Sequence, residues 1–253
     1  MQIKSVFYKM LVDISASLGK LSGLYLLNWQ RQLKPYKGIH KGETAYLIGN
    51  GPSVNVKDLE YLKNHITFCC NKFYMSYDGH SLRPTYTISA DDKMIEDFGN
   101  DIVKNSMGKV WLCSAHCPEL KEKNYNWLYL RQGSLRLNES FIMNGAYHMG
   151  ATLLVALQIG YYMGIRKFVL YGVDHNFQFI TNDGRTSTSE KNHFISNYRE
   201  GKAWYVPDTK LIESSFQSAA DILSRQGGYL INASRESRLP YIRRVELEKA
   251  LKL

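Results

Sequence analysis

No stretch of this sequence approaches the roughly 20 uninterrupted apolar residues that a helix needs to cross a bilayer. The first residues also lack the apolar run and small-residue cleavage site of a secretory leader, so the cytoplasm is the expected location, with peripheral contact at the inner face of the cell membrane left open. Cysteine is scarce, four in 253 residues. Cys69 and Cys70 adjoin inside an apolar segment, while Cys113 and Cys117 flank Ser114-Ala115-His116. A structural zinc site needs a second ligand pair, and none stands nearby, so buried thiols are expected rather than a metal. An arginine-rich tract, a zinc finger and an RNA-reading aromatic motif are all missing, which argues against nucleic acid as a partner. Internal repeats and low-complexity tracts are missing too. Acids are the minority charge, 23 Asp and Glu against 32 Lys and Arg, and the resulting +9 points to an anionic partner such as a phosphorylated substrate or a membrane surface.

What is present suffices for an ordinary core, since 44% of the residues are hydrophobic. Residues 1–34 read as helix with apolar positions such as Phe7, Leu11, Ile14, Leu18 and Leu21, interrupted at Gly19 and Gly23. Two readings are equally weighted: a basic amphipathic arm lying on an anionic membrane, or a helix pair packing on the domain or on another subunit of a homo-oligomer. With the Lys34–Gly38 linker, residues 1–40 form an N-terminal arm and residues 41–253 the main domain.

From residue 43 onward, short apolar runs alternate with helical patterns. This predicts an α/β fold, a Rossmann-like, mostly parallel sheet flanked by helices. Strands are expected at 44–48, 66–70, 85–89, 109–113, 127–130, 168–171 and 229–231. Helices are expected at 56–63, 92–98, 145–163, 210–226 and 245–251. Parallel strands present ligands at their C-terminal ends, so function is sought there.

Four ends stand out. Gly49-Asn50-Gly51-Pro52-Ser53 after the first strand permits close approach of a ligand, with amides aimed at a phosphate on the next helix. Asn71 follows the second strand. Asp91-Asp92 follows the third, as a Mg²⁺ ligand pair or, more simply, a helix cap. Gly172-Val173-Asp174-His175-Asn176 follows a late strand, where an acid and an imidazole favour a functional role. The long polar stretch 177–208 beyond it reads as a lid or binding loop and carries Asn192-His193-Phe194 and Tyr198, with His193 a candidate acid or base. Asn144-Gly145, just before the expected helix 145–163, offers further amides to an anion.

The segments KGETAYLIGNGPSV, ITFCCNKFY, RPTYTISADD, GATLLVALQIGYYMGIRKFVLYGVDHNF, NHF and LINAS together resemble the 6-hydroxymethylpterin diphosphokinase-like domain family, in its bacterial surface-glycan branch, over roughly residues 40–247. More distantly, the pattern is similar to bacterial sialyltransferases that use a CMP-activated sugar. That second resemblance implies CMP contacts at Asn50, Gly51, Ser53 and Asn71, and a general base at His193. The tyrosines that steady the leaving phosphate in those enzymes are not matched here; His175, Asn176 and Phe177 stand in their place.

Three functions follow. The first is a glycosyltransferase moving a sialic or nonulosonic acid-type sugar from a CMP donor to a glycan or lipid-linked glycan acceptor, with no cofactor required and Mg²⁺ optional. The second is a Mg²⁺-dependent diphosphokinase acting from ATP on a pterin-like alcohol, with Asp91, Asp92 or Asp174 on the metal. The third is a nucleotide-binding assembly subunit without catalysis.

Overall fold

In the computed structural model, which describes residues 2–133, 135, 137–138 and 141–253, a single eight-stranded sheet dominates the chain. The arm comes first, as helices α1 (Gln2–Ser22) and α2 (Asn28–Leu33). Then follow β1 (Thr44–Ile48), α3 (Val56–Leu62), β2 (Ile66–Cys70), β3 (Tyr86–Ser89), α4 (Asp92–Asn105), β4 (Lys109–Ser114), β5 (Asn126–Arg131), β6 (Ala146–Tyr147), α5 (Thr152–Tyr162) and β7 (Lys167–Tyr171). A small antiparallel pair, β8 (Thr186–Ser187) with β9 (Trp204–Tyr205), precedes α6 (Thr209–Arg225), β10 (Tyr229–Asn232) and α7 (Leu247–Ala250).

The strand order is β10-β7-β1-β2-β3-β4-β5-β6, and every pairing in the large sheet is parallel. The central strands are buried nearly throughout, as in β1 with Ala45, Tyr46, Leu47 and Ile48. Continuous apolar runs of this kind suit a parallel sheet covered on both faces. One face packs against α5, which is buried all round from Leu153 to Tyr162. The other carries α3 and α7, with Leu59, Leu62, Leu247 and Ala250. From β1 the chain winds outward through β2 to β6, then returns to lay β7 on the other side of β1. The order therefore reverses between β1 and β7, and the crevice at such a switch point is where open α/β sheets bind ligands.

Two helices differ from the sequence expectation, and the one expected at 92–98 runs on to Asn105. The helix expected at 145–163 begins only at Thr152. Gly145 (φ +103°) and Gly150 (φ +80°) adopt left-handed backbone that ends regular helix, and Ala146–Tyr147 pair with β5 instead. The Gln158 amide closes that segment by accepting from Tyr147 N at 2.9 Å and donating to Tyr147 O at 2.8 Å. The arm, for its part, is docked: Val12, Ala16, Trp29 and Leu33 are buried in the main core. Among the described residues no helix is long and apolar enough to cross a membrane.

Candidate active site

A cleft of about 260 Å³ opens at the C-terminal ends of β1, β2, β3 and β7. It is bounded by Gly49–Pro52, Cys70, Asn71, Asp91, Gly172–Phe177, Asn192 and His193, with the start of α5 opposite. The sequence thus brings four strand ends to one place, as the switch point requires.

The turn after β1 packs closely against the turn after β7. Gly49 N donates to Tyr171 O at 2.8 Å, Gly51 N to Gly172 O at 3.0 Å, and Ser53 N to an Asp174 carboxylate oxygen at 2.7 Å. Ser53 Oγ donates to the other Asp174 oxygen at 2.5 Å. The next helix is capped by Asn55, whose side chain accepts from Lys57 N. The amides of Gly49, Gly51 and Ser53 are thus already engaged by the protein. The glycines serve contact between the two turns: a Cβ on Gly49 would stand 2.4 Å from Gly172 O, and one on Gly51 would stand 2.5 Å from Asp174 Oδ1. Asp174 is therefore the anion this turn holds. Burial raises its pKa, and the two Ser53 donors oppose that rise.

Further backbone donors for a ligand lie at the start of α5. Ala151 occupies the N-cap position with no side-chain cap, and Gly150, Ala151, Thr152 and Leu153 line the cleft. An uncapped N-terminus of an 11-residue helix facing a cleft favours an anion through its amides and dipole. The sequence reading placed this segment inside the helix 145–163, so the amides of residues 151–153 were not among its candidates. By contrast, Asn144 and Gly145 are not brought to the cleft. They lie beside edge strand β6, where Asn144 Nδ2 donates to Asp13 at 2.8 Å and Gly145 packs on the Tyr129 ring.

Two polar atoms at the cleft are buried without a partner: Asn50 Oδ1 and His193 Nδ1. Asn50 is held from its amide nitrogen, which donates to Cys70 O at 3.0 Å and to Tyr198 OH at 2.8 Å. Tyr198 is fully buried, receives Lys72 N at 3.1 Å as well, and stacks on the His193 ring at 3.9 Å with 18° between planes. Phe194 N donates to Asn50 O at 2.9 Å. Tyr198 thus fastens the loop carrying His193 to the ends of β1 and β2 without itself lining the cleft. Burial lowers the His193 pKa to about 4, so its imidazole is neutral at physiological pH.

His175 also lines the cleft, at a left-handed φ of +50°. Its Nε2 lies 2.8 Å from Glu213 Oε1 on α6, and its ring meets Phe177 edge-on at 5.5 Å. Glu213 carried no signal in the sequence, because an acid on an amphipathic helix reads as solvent-facing. Asn71 (φ +53°) accepts from Ser89 Oγ at 2.8 Å, and Asn176 lines the cleft beside His175.

Asp91 lines the cleft but caps α4, accepting from Met94 N at 3.1 Å. Burial, with Asp91 and Glu96 nearby, raises the pKa of Asp92 against an opposing His148. Among the described residues no group of three or more His, Cys, Asp or Glu is placed to hold a metal ion. Cys113 and Cys117 are free thiols, the first buried and the second exposed.

The MAf glycosyltransferase of Magnetospirillum magneticum AMB-1 aligns over 92% of this chain and 40% of its own, at TM-score 0.50 and 13% identity. The chain shares that fold. It spans two fifths of the length of the Magnetospirillum protein. The sialyltransferase CstII of Campylobacter jejuni, solved with cytidine-5'-monophosphate, aligns over 82% of this chain and 86% of its own at TM-score 0.43 and 13% identity. No family model and no curated protein sequence matches.

Proposed function

We propose that this chain is a glycosyltransferase that takes a sugar, of sialic or nonulosonic acid type, from a CMP-activated donor and joins it to a hydroxyl of a bacterial surface glycan. The observation that carries the reading is the meeting, in one switch-point cleft, of an uncapped helix N-terminus with two buried unpaired acceptors, Asn50 Oδ1 and His193 Nδ1. A nucleoside monophosphate supplies what each lacks: an anion for the α5 amides and an amino or hydroxyl donor for Asn50. The shared fold with a glycosyltransferase supports the same class.

In this scheme His193 Nδ1 accepts the proton of the acceptor hydroxyl as its oxygen attacks the anomeric carbon. The bond from that carbon to the phosphate oxygen breaks, and the departing CMP keeps the electron pair. His175, with Nε2–H held by Glu213, donates a hydrogen bond to that phosphate from Nδ1 in its protonated, imidazolium form. This fills the role for which the sequence offers no tyrosines. The charge that develops is carried by protein donors.

Calorimetry of the purified chain against CMP, CDP, UDP, GDP, ATP and AMP, with and without Mg²⁺, tests the reading. Metal-independent preference for CMP is expected, with His193→Ala abolishing sugar transfer while sparing CMP binding. A Mg²⁺-dependent preference for ATP would overturn it in favour of the diphosphokinase. CMP binding with no transfer to any glycan acceptor, and unchanged glycan output in cells carrying His193→Ala, would leave only the assembly subunit.

A further inference from the structure

Helix α1 has two faces. Tyr8, Val12 and Ala16 turn inward to the main core, with Ser15 and Gln30 hydrogen-bonded beneath them. The opposite face carries Phe7, Met10, Leu11, Ile14, Leu18 and Leu21, all exposed, with Phe7 at 75% and Leu21 at 88%. The apolar surface continues beyond the helix end through Leu24 and Leu26. Contiguous exposed apolar surface of this extent marks an interaction site rather than scattered surface residues.

The charge around it selects the partner. Residues 1–41 carry seven basic side chains and one acid, Asp13. That acid is already engaged, accepting from Arg131 at 3.1 Å and Asn144 at 2.8 Å. Lys9, Lys20, Arg31, Lys34 and Lys37 are exposed. The intervals 7, 11, 14, 18 and 21 also match a coiled-coil seam. Yet pairing two copies through this face would oppose two strongly cationic arms, which like-charge repulsion disfavours. An anionic bilayer meets both features together, taking the apolar stripe at the acyl boundary and the lysines among the headgroups.

We infer that the outer face of α1 is a docking surface for anionic phospholipid bilayers, holding the domain at a membrane as a peripheral protein. Because the inner face is fixed in the core, the arm binds as a rigid part of the domain rather than as a tether.

The test is co-sedimentation of the full chain with phosphatidylcholine vesicles and with vesicles that also contain phosphatidylglycerol. The chain is expected to pellet with the anionic vesicles, less so as salt is raised, since each basic residue near the surface contributes about fivefold to partitioning. Ile14→Glu and Leu18→Glu, both at exposed positions, are expected to weaken binding by about tenfold or more each. Their circular dichroism and nucleotide binding should match the wild type, which separates this result from the fate of the proposed transfer reaction. The inference is overturned if the wild-type chain stays in the supernatant, or if it pellets equally with neutral vesicles. It is also overturned if Leu18→Glu splits a dimer seen by light scattering while leaving sedimentation with vesicles unchanged.

Discussion

Replacing Tyr198 with phenylalanine should loosen the cleft without touching its walls. The phenol oxygen accepts from Asn50 Nδ2 at 2.8 Å and from Lys72 N at 3.1 Å. Asn50 keeps its second bond, to Cys70 O at 3.0 Å, but the Lys72 amide is stranded in a residue only 1% exposed. A buried donor left unpaired costs about 1–3 kcal/mol, and the weakened Asn50 anchor adds a fraction more, so the expected loss is about 2–3 kcal/mol. In a domain of this size that lowers Tm by about 5–8 °C. Urea unfolding gives the number directly, with Tyr61→Phe, at a tyrosine 61% exposed, as the control expected to change little. The Tyr198→Phe variant keeps an aromatic ring against His193, so it should bind CMP about tenfold more weakly through the released Asn50 alone. A stability loss below about 0.5 kcal/mol would refute the view that this hydroxyl fastens the loop.

Other outcomes follow from the same geometry. The His193 pKa is held near 4 by burial, below its ordinary value near 6.5. The neutral folded form is therefore favoured above the unfolded value, and stability falls as pH drops from about 6.5 through 4, by up to about 3 kcal/mol. Acid titration of unfolding should show that loss in the wild type and a shallower one in His193→Asn. If His193 is the base, transfer should persist at pH 5 and fall only as pH passes through about 4, since the deprotonated form is the active one; a rate that falls at the ordinary histidine value would contradict it. Glu213→Gln should lower kcat by about tenfold or more while leaving donor KM unchanged, with partial recovery in Glu213→Asp. Gly172→Ala should cost about 3 kcal/mol in a thermal melt, because φ is +68° and the new Cβ would stand 2.4 Å from Val54 Cγ2 and 2.8 Å from Gly49 O.

Much of the fold was readable because parallel strands buried on both faces leave continuous apolar runs. Thr44–Ile48 and Ile66–Cys70 come out residue for residue, and the other major strands agree within a residue at each end. The short strands β6, β8 and β9, two residues each, leave no such run and were missed. Residues 145–151 look helical because Ala, Tyr, His and Met tolerate helix; only the backbone angles at the two flanking glycines reveal otherwise. The cleft was readable as a set of strand ends, and Asn50, Asn71, Asp91, Asp174, His175, Asn176 and His193 do line one space. Their division of labour was not. A glycine-rich turn looks the same whether it receives a phosphate or a neighbouring turn, and the Asp174 carboxylate that occupies it stands 121 positions from Ser53. Tyr198 was expected to touch the nucleotide and instead supports Asn50 from behind.

The place of β1 in the sheet sets an order of assembly. It pairs with β2 on one side early, but its other edge waits for β7, which starts at Lys167. At translation rates of about 5–20 residues per second, that edge stays unsatisfied for roughly 6–24 s while the intervening chain is made. During this interval a buried-type strand, Ala45 to Ile48, presents open backbone groups to any neighbouring nascent chain. The cleft closes in the same event that covers the edge, so a ribosome-bound chain stalled before Lys167 should be both inactive and prone to aggregation, and a chaperone that shields extended apolar segments should raise the yield of the folded protein.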